Sequence, residues 1–203
     1  MEKLPKLYVL NTGIKLIGWD LDGTLFDTES VWYRMHDLVI QKYGHNLGEE
    51  EINKAQEDIA EQMYRTVSYR ANADMALKYF KELGIHQSLV NYCALTNKTM
   101  MQNPNVLSQF GFDKFDSIIS SENFSVEVGK KEMYLAAMEM AKISDPVKAV
   151  GIEDLPDGLE GAKKAGMITI WARNPDYPFS KEELSDIKGL ADFYVDDFSE
   201  LVR

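Results

Sequence analysis

The chain has 203 residues, of which 45% are hydrophobic and 27% charged, and its net charge is −11 at pH 7. This length is enough for one full hydrophobic core and a small accessory domain, and the composition is that of an ordinary globular protein. The negative charge repels phosphate backbones and argues against nucleic acid as a partner. The single cysteine excludes an intrachain disulfide and a cysteine metal cluster.

The hydropathy pattern gives no reason to expect membrane contact. No apolar run approaches the roughly 20 residues that span a bilayer. The apolar run near the N-terminus is too short for a signal peptide. We therefore expect a cytoplasmic protein.

The first predicted strand is the short apolar run Leu16–Trp19, which stops at the sequence D-L-D-G-T. A polar stretch follows from about Ser30 to Phe80, and its apolar residues recur at helical spacing. Gly44 and Gly48 interrupt this stretch, so we expect two helices that meet there in a turn.

From about residue 72 the pattern alternates between helix and strand. Helices are predicted at Asp74–Leu83, Met100–Phe110, Glu132–Lys142 and Leu159–Ala165. Strands are predicted at Tyr92–Leu95, Ser117–Ile119, Ala149–Ile152, Ile168–Trp171 and Phe193–Val195. This alternation predicts an α/β fold, a Rossmann-like doubly wound parallel sheet covered by helices. The core domain would comprise residues 1–28 and 84–203, with a small α-helical cap domain inserted at 29–83.

Polar residues follow three of the predicted strands, at the point where each strand ends. They are Asp20 with Asp22, Thr96 with Asn97, and Glu153 with Asp154. Ligands of open α/β sheets bind outside the carboxyl ends of the strands, so these side chains should converge on one crevice. One acidic pair alone would fit a capped turn. Three pairs at successive strand ends indicate a functional site.

The segment D-L-D-G-T-L-F-D-T-E, from Asp20 to Glu29, resembles the first motif of the haloacid dehalogenase-like hydrolases. Thr96-Asn97, the Lys130/Lys131 pair and Glu153-Asp154 follow in the order of that family's other motifs. The resemblance extends from Leu16 to Trp171. It is strongest to the subgroup with β-phosphoglucomutase and phosphoglycolate phosphatase, which places a helical cap after the first motif.

The resemblance implies a phosphatase that forms an aspartyl-phosphate. Asp20 would be the nucleophile that attacks phosphorus. Asp22 would protonate the leaving oxygen and later deprotonate the attacking water. Gly23 would allow a sharp turn that brings backbone amides toward the phosphoryl group. Thr24 would either add a hydroxyl to that site or cap the turn.

Two further motifs would bind and stabilise the phosphoryl group. The hydroxyl of Thr96 and the amide of Asn97 would bind its oxygens, and a lysine would stabilise the transition state. The usual form of the lysine motif is Gly-Lys-Pro-x-Pro, whereas here Gly129-Lys130-Lys131-Glu132 enters a helix directly. Lys130 keeps the Gly-Lys pair and Lys131 keeps a spacing seen in shorter versions, so both are candidate catalytic lysines.

The resemblance also implies a bound Mg²⁺ ion. Asp20, Glu153 and Asp154, with the backbone carbonyl of Asp22, would form the oxygen-rich site that this ion prefers. Asp157 would either support this site or cap the helix that follows.

Two residues separate branches of the family. Asp22 argues against a dehalogenase, because those relatives lack the second aspartate. Trp32 lies five residues after Asp27, where mutases of the β-phosphoglucomutase type carry a histidine. Hydrolysis is therefore favoured over a phosphotransferase or mutase of that type. The other alternative is a non-catalytic phosphate-binding module, and the intact Asp20/Asp22 pair with a lysine and the Glu153-Asp154 pair argues against it.

The expected substrate is a small phosphorylated metabolite that the cap covers and shields from water. Trp32 and Lys54 are candidate contacts from the cap, and Arg70 is a further one. The sequence indicates neither a particular phosphomonoester nor an oligomeric state.

Overall fold

One parallel sheet of seven strands organises the part of the chain that the structure, a computed structural model, describes. The strands are β1 (Glu2–Lys3), β2 (Leu16–Trp19), β3 (His86–Asn91), β4 (Ser117–Ser120), β5 (Ala149–Glu153), β6 (Ile168–Ala172) and β7 (Phe193–Val195). The described residues are 1–3, 12–44, 48, 51–52, 54–56, 59, 67–91, 112–174 and 177–202, with the backbone alone at 29–33, 36 and 112.

The strand order is β1-β7-β6-β5-β2-β3-β4, which places β2 at the centre of the sheet. From β2 the chain adds β3 and β4 on one side and then crosses to β5 on the other side. Leu16 therefore pairs with His86 of β3 and with Ala149 of β5. This reversal of the strand order is the place where doubly wound folds bind ligands.

Helices cover both faces of the sheet. The helices with described bounds are α1 (Glu29–Tyr43), α2 (Ala73–Glu82), α3 (Lys130–Met140), α4 (Pro156–Lys164) and α5 (Lys181–Leu190). Alternate residues of β2 point to opposite faces: Trp19 packs in the core with Phe80 of α2, while Leu16 packs with Tyr134 of α3. The predicted doubly wound α/β fold is thus confirmed. Among the described residues, no helix has the length and apolarity needed to cross a membrane.

Strand β3 occupies residues that the sequence analysis did not assign to a strand. The strand predicted at Tyr92–Leu95 is outside the described residues, and β3 occupies His86–Asn91. Gln87 and Ser88 lower the hydropathy of this segment, although both side chains are fully buried. The side-chain amide of Gln87 accepts from Trp19 Nε1 through its oxygen at 3.2 Å and donates through its nitrogen to the Leu77 carbonyl at 2.9 Å. Such satisfied polar side chains hide a buried strand from a hydropathy pattern.

Helix α5 is absent from the predicted elements, although its start has a recognisable sequence pattern. Ser180 and Glu183 form a capping box in which the Glu183 amide donates to Ser180 Oγ at 3.1 Å. The Ser180 amide in turn donates to Glu183 Oε2 at 2.7 Å. A serine followed three residues later by a glutamate is the usual mark of a helix start.

The polar helical stretch leaves the sheet and returns to it through two adjacent segments, residues 25–28 and 67–70. The amide of Asp27 donates to the Ser68 carbonyl at 3.2 Å, and that of Arg70 donates to the Leu25 carbonyl at 2.8 Å. The α-helical cap and its boundaries remain a prediction. Because the Phe80 ring of α2 lies 6.2 Å from the Trp19 ring, α2 packs on the sheet, which favours a boundary before that helix.

Candidate active site

Asp20 lies at the carboxyl end of the central strand β2, where the strand order reverses. Its amide donates to the Ile152 carbonyl at 3.0 Å, so the backbone still follows the sheet at this residue. Its side chain is buried. The carboxylate is therefore held at a fixed place between β2 and β5.

Lys130 is the first residue of α3, and its side chain extends to the Asp20 carboxylate. Its ammonium donates to Asp20 Oδ1 at 2.5 Å, to the Val90 carbonyl at 2.9 Å and to Glu153 Oε1 at 3.1 Å. Burial by itself lowers the pKa of this ammonium, but the charges of Asp20 and Glu153 and their hydrogen bonds raise it above its ordinary value. Lys130 is thus a permanently charged partner of Asp20, whereas the neighbouring Lys131 is exposed.

Glu153 ends β5 and is almost completely buried. Its Oε1 atom accepts from Lys130 and, at 2.5 Å, from the hydroxyl of Tyr134. Burial and the charge of Asp20 raise the pKa of Glu153 to about 8, against the opposing effects of Lys130 and Tyr134. Burial is the larger of the two causes, and the negative charge of Asp20 adds to it.

Asp154 faces the turn that follows Asp20. Its Oδ1 accepts from the hydroxyl of Thr24 at 3.2 Å. Gly23 has a positive φ of 74°, and a Cβ there would lie 2.0 Å from Asp154 Oδ2. Only glycine fits at this position, because the backbone must approach the carboxylate closely in a conformation that L side chains avoid.

The amide of Gly23 and the hydroxyl of Thr24 both have partners within the protein. The Gly23 amide donates to Thr28 Oγ1 at 2.9 Å, and the Thr24 hydroxyl donates to Asp154. Phosphate binding by these two residues stays a prediction. In the structure they fix the shape of the turn and the orientation of Asp154.

Carboxylate oxygens of Asp20, Glu153 and Asp154, together called the acidic cluster here, lie within 4.8 Å of one another. All three residues are buried. When all three carboxylates are ionised, the charge of Lys130 offsets only one of theirs. Negative charge concentrated in a buried site is costly, and a divalent cation would offset it. Oxygen ligands of this kind suit Mg²⁺. The residues present therefore fit the ion that the sequence predicts.

The other predicted site residues are placed less centrally or lie beyond the described part of the chain. Asp22 is half-buried in the turn that follows Asp20. Asp157 is exposed in the first turn of α4, after the N-cap position that Leu155 occupies. Lys54 is exposed. Thr96 and Asn97 lie outside the described residues, as does the side chain of Trp32.

The sequence analysis did not predict where three residues near the site would lie. Tyr134 contacts Glu153, and Asn91 is a buried residue at the carboxyl end of β3, beside β2. Arg70, a candidate substrate contact, instead binds backbone carbonyls. Only Tyr134 carries a sequence signal, because its spacing of four residues from Lys130 puts both on one face of α3.

The Arg70 guanidinium joins the turn after Asp20 to the end of β6. It donates to the carbonyls of Gly23 at 2.8 Å, Ala172 at 3.0 Å and Arg173 at 2.6 Å. We expect Arg70→Met to leave these carbonyls without their donor and to lower the melting temperature by about 5–10 °C. The matched control is Arg173→Met, since Arg173 is an exposed neighbour in a surface ion pair with Asp196. Thermal melts in which both variants behave alike would contradict this role for Arg70.

Comparison with known protein families gives one match. The sequence model of the haloacid dehalogenase-like hydrolases matches residues 64–166, just over half of the chain. The chain belongs to this family. A hydrolase family agrees with the buried lysine and acidic cluster at the end of the central strand. No curated protein matches the chain.

Solved structures resemble the chain over nearly its whole length. CbbY from Rhodobacter sphaeroides, in complex with xylulose-1,5-bisphosphate, has a TM-score of 0.69 at 19% identity, covering 93% of this chain and 96% of its own. β-Phosphoglucomutase from Clostridium difficile has a TM-score of 0.69 at 20% identity, with 93% of each chain covered. A haloacid dehalogenase phosphatase from Thermococcus onnurineus has a TM-score of 0.65 at 15% identity, covering 93% and 96%. At these identities the likeness establishes the fold.

Proposed function

We propose that the protein is a Mg²⁺-dependent phosphatase that hydrolyses a small phosphomonoester through an aspartyl-phosphate on Asp20. The observation that carries the proposal is the contact of Lys130 Nζ with Asp20 Oδ1 at 2.5 Å beside the acidic cluster. A buried lysine and three buried carboxylates at the reversal of the strand order form a site suited to phosphoryl transfer.

The reaction has two steps. In the first, a carboxylate oxygen of Asp20 attacks phosphorus, the bond from phosphorus to the ester oxygen breaks, and Asp22 gives its proton to that oxygen. In the second, Asp22 takes a proton from water, the water oxygen attacks phosphorus, and inorganic phosphate leaves with Asp20 restored. Lys130 offsets the negative charge of Asp20 throughout, so that an anionic phosphoryl group is not repelled.

Asp20, Glu153 and Asp154 would hold the magnesium ion, with the backbone carbonyl of Asp22. When bound, the ion would offset the charge of the acidic cluster and stabilise the charge on the phosphoryl group. The net charge of the cluster with Lys130 supports a divalent ion in preference to a monovalent one.

The substrate is a small phosphorylated metabolite. In support, CbbY of similar fold has been crystallised with phosphate and with xylulose-1,5-bisphosphate. The insertion between residues 28 and 67 is attached at the mouth of the site by the paired segments at Asp27 and Ser68. We infer that it forms the cap that covers the substrate and excludes water.

Phosphate release from p-nitrophenyl phosphate tests the proposal. We expect hydrolysis with added Mg²⁺ and a loss of at least about a hundredfold in EDTA, because a bound metal contributes several kcal/mol to such a transition state. EDTA saturated beforehand with Mg²⁺ is the matched control and should leave the rate unchanged. Hydrolysis that continues undiminished in metal-free EDTA would contradict the metal's role.

A panel of phosphorylated sugars, nucleotides and phosphoglycolate would then identify the substrate class. Phosphorus NMR of each reaction distinguishes hydrolysis from the alternative, group transfer. Free phosphate that rises as the ester disappears supports a phosphatase. A second phosphoester that forms without free phosphate would instead indicate a phosphotransferase or mutase.

A further inference from the structure

Tyr134 is a fully buried tyrosine whose hydroxyl ends at the active site. The hydroxyl donates to Glu153 Oε1 at 2.5 Å. Burial, together with the charge of Glu153, raises the pKa of Tyr134 well above its ordinary value, so the hydroxyl keeps its proton and acts as a donor. A hydrogen bond to a buried carboxylate is among the stronger ones in proteins.

The ring of Tyr134 lies in a slot beside Gly18 of the central strand β2. A Cβ at Gly18 would lie 2.6 Å from Tyr134 Cε1, whereas one at Gly151 of β5 would be in ordinary contact with the same atom at 3.5 Å. Glycine inside a strand weakens it and often marks a close approach by another group. Here that group is a ring whose position, and therefore the aim of its hydroxyl, is fixed by the sheet itself.

Tyr134 and Lys130 act on the same oxygen atom. They are one helical turn apart on α3, and both donate to Glu153 Oε1. The Lys130 ammonium uses its other hydrogen bonds on Asp20 and on the Val90 carbonyl. The position of Glu153 Oε1 therefore decides how Lys130 is directed at Asp20.

We propose that Tyr134 is a positioning residue for phosphoryl transfer: its hydroxyl fixes Glu153, and through Glu153 it fixes the Lys130 ammonium and the acidic cluster around Asp20. The inference rests on the proposed function. Tyr134 itself does not touch the substrate, because its side chain is buried beneath Glu153 on the face of the sheet that α3 covers.

The variant Tyr134→Phe tests this role, because it keeps the ring in its slot and removes the hydroxyl alone. We expect kcat for p-nitrophenyl phosphate to fall about tenfold with KM within about twofold, and Mg²⁺ to bind about tenfold more weakly by calorimetry, since partners of ligating groups have effects of this size. The melting temperature should fall by less than about 10 °C, which is the range for losing one hydrogen bond to a charged group.

Tyr79→Phe is the matched control. Tyr79 is a half-buried tyrosine on α2, on the other side of the sheet, whose ring packs edge-on against Phe80. It should match the wild type in kcat, in Mg²⁺ affinity and in melting temperature. If Tyr134 acted through packing alone, Tyr134→Phe would match the wild type in kcat, in Mg²⁺ affinity and in melting temperature, because the ring stays in its slot.

The outcomes separate this inference from the proposed function. Wild-type kcat and Mg²⁺ affinity in Tyr134→Phe would overturn the role of Tyr134 while hydrolysis by the wild type upholds the phosphatase. A wild type that binds Mg²⁺ without hydrolysing any phosphomonoester would overturn the phosphatase, and calorimetry on the two variants would still decide whether Tyr134 positions the cluster. A wild type that neither binds Mg²⁺ nor hydrolyses a phosphomonoester would overturn both the phosphatase and the role of Tyr134.

Discussion

Asp20→Asn is expected to reduce Mg²⁺-dependent phosphate release from p-nitrophenyl phosphate by at least about 10⁴-fold, the usual effect of removing a nucleophile. The amide of asparagine is isosteric with the carboxylate and can still accept from Lys130, so the surrounding contacts should persist. What is lost is the oxygen that forms the bond to phosphorus. Initial rates at saturating substrate measure this effect.

The loss should not come from unfolding. Asp20 is one of the three carboxylates that lie within 4.8 Å of one another, so removing its charge relieves repulsion and should leave the melting temperature unchanged or raise it. Asp186→Asn is the matched control, because Asp186 is exposed on α5, and it should keep the wild-type rate. Mass spectrometry after acid quenching should detect one phosphoryl group on Asp20 of the wild type. Turnover in Asp20→Asn close to that of the wild type would contradict the nucleophile assignment.

The sequence predicted those parts of the fold in which hydropathy and chain direction agree. Strands β2 and β7 have the predicted bounds, and β4, β5 and β6 lie within one residue of prediction at each end. Each is an apolar run that ends in polar residues. Strand β3 departs from this rule, because Gln87 and Ser88 satisfy their polar groups with partners from α2, β2 and β4 that no local pattern reveals. Tertiary contacts therefore outweighed local hydropathy there.

The sequence predicted which acidic residues meet in the candidate site, but it did not decide which lysine joins them. Asp20, Glu153 and Asp154 could be grouped in advance because the carboxyl ends of parallel strands meet at one edge of the sheet. The choice between Lys130 and Lys131 could not be made in the same way. It depends on which face of the first turn of α3 meets the sheet, and Gly129 permits either lysine to begin the helix. Tyr134 was not predicted, since its hydroxyl reaches Glu153 only because Gly18 leaves room for the ring.

Lys130→Ala is expected to lower kcat by about 10²–10³-fold, the range found when a group that stabilises transition-state charge is removed. Lys131→Ala should stay within about twofold of the wild type. The two residues are neighbours of the same type, but Lys130 is buried against Asp20 and Lys131 is exposed. Each variant is thus the matched control of the other. A large loss in Lys131→Ala with little change in Lys130→Ala would contradict the assignment.

Melting temperatures should distinguish the effect of losing the Lys130 charge from the effect of losing its side-chain volume. Removing the ammonium takes from the acidic cluster the positive charge that Lys130 supplies, and breaking a buried pair in this way costs about 3–5 kcal/mol. Lys130→Met keeps most of the aliphatic chain, so it should lower the melting temperature nearly as much as Lys130→Ala if charge is the cause. A divalent ion at the cluster would replace the missing charge, so added Mg²⁺ should raise the melting temperature of both variants more than that of the wild type. Neither variant should recover its kcat in Mg²⁺, because the ion offsets the charge of the cluster without restoring the hydrogen bond that Lys130 donates to Asp20.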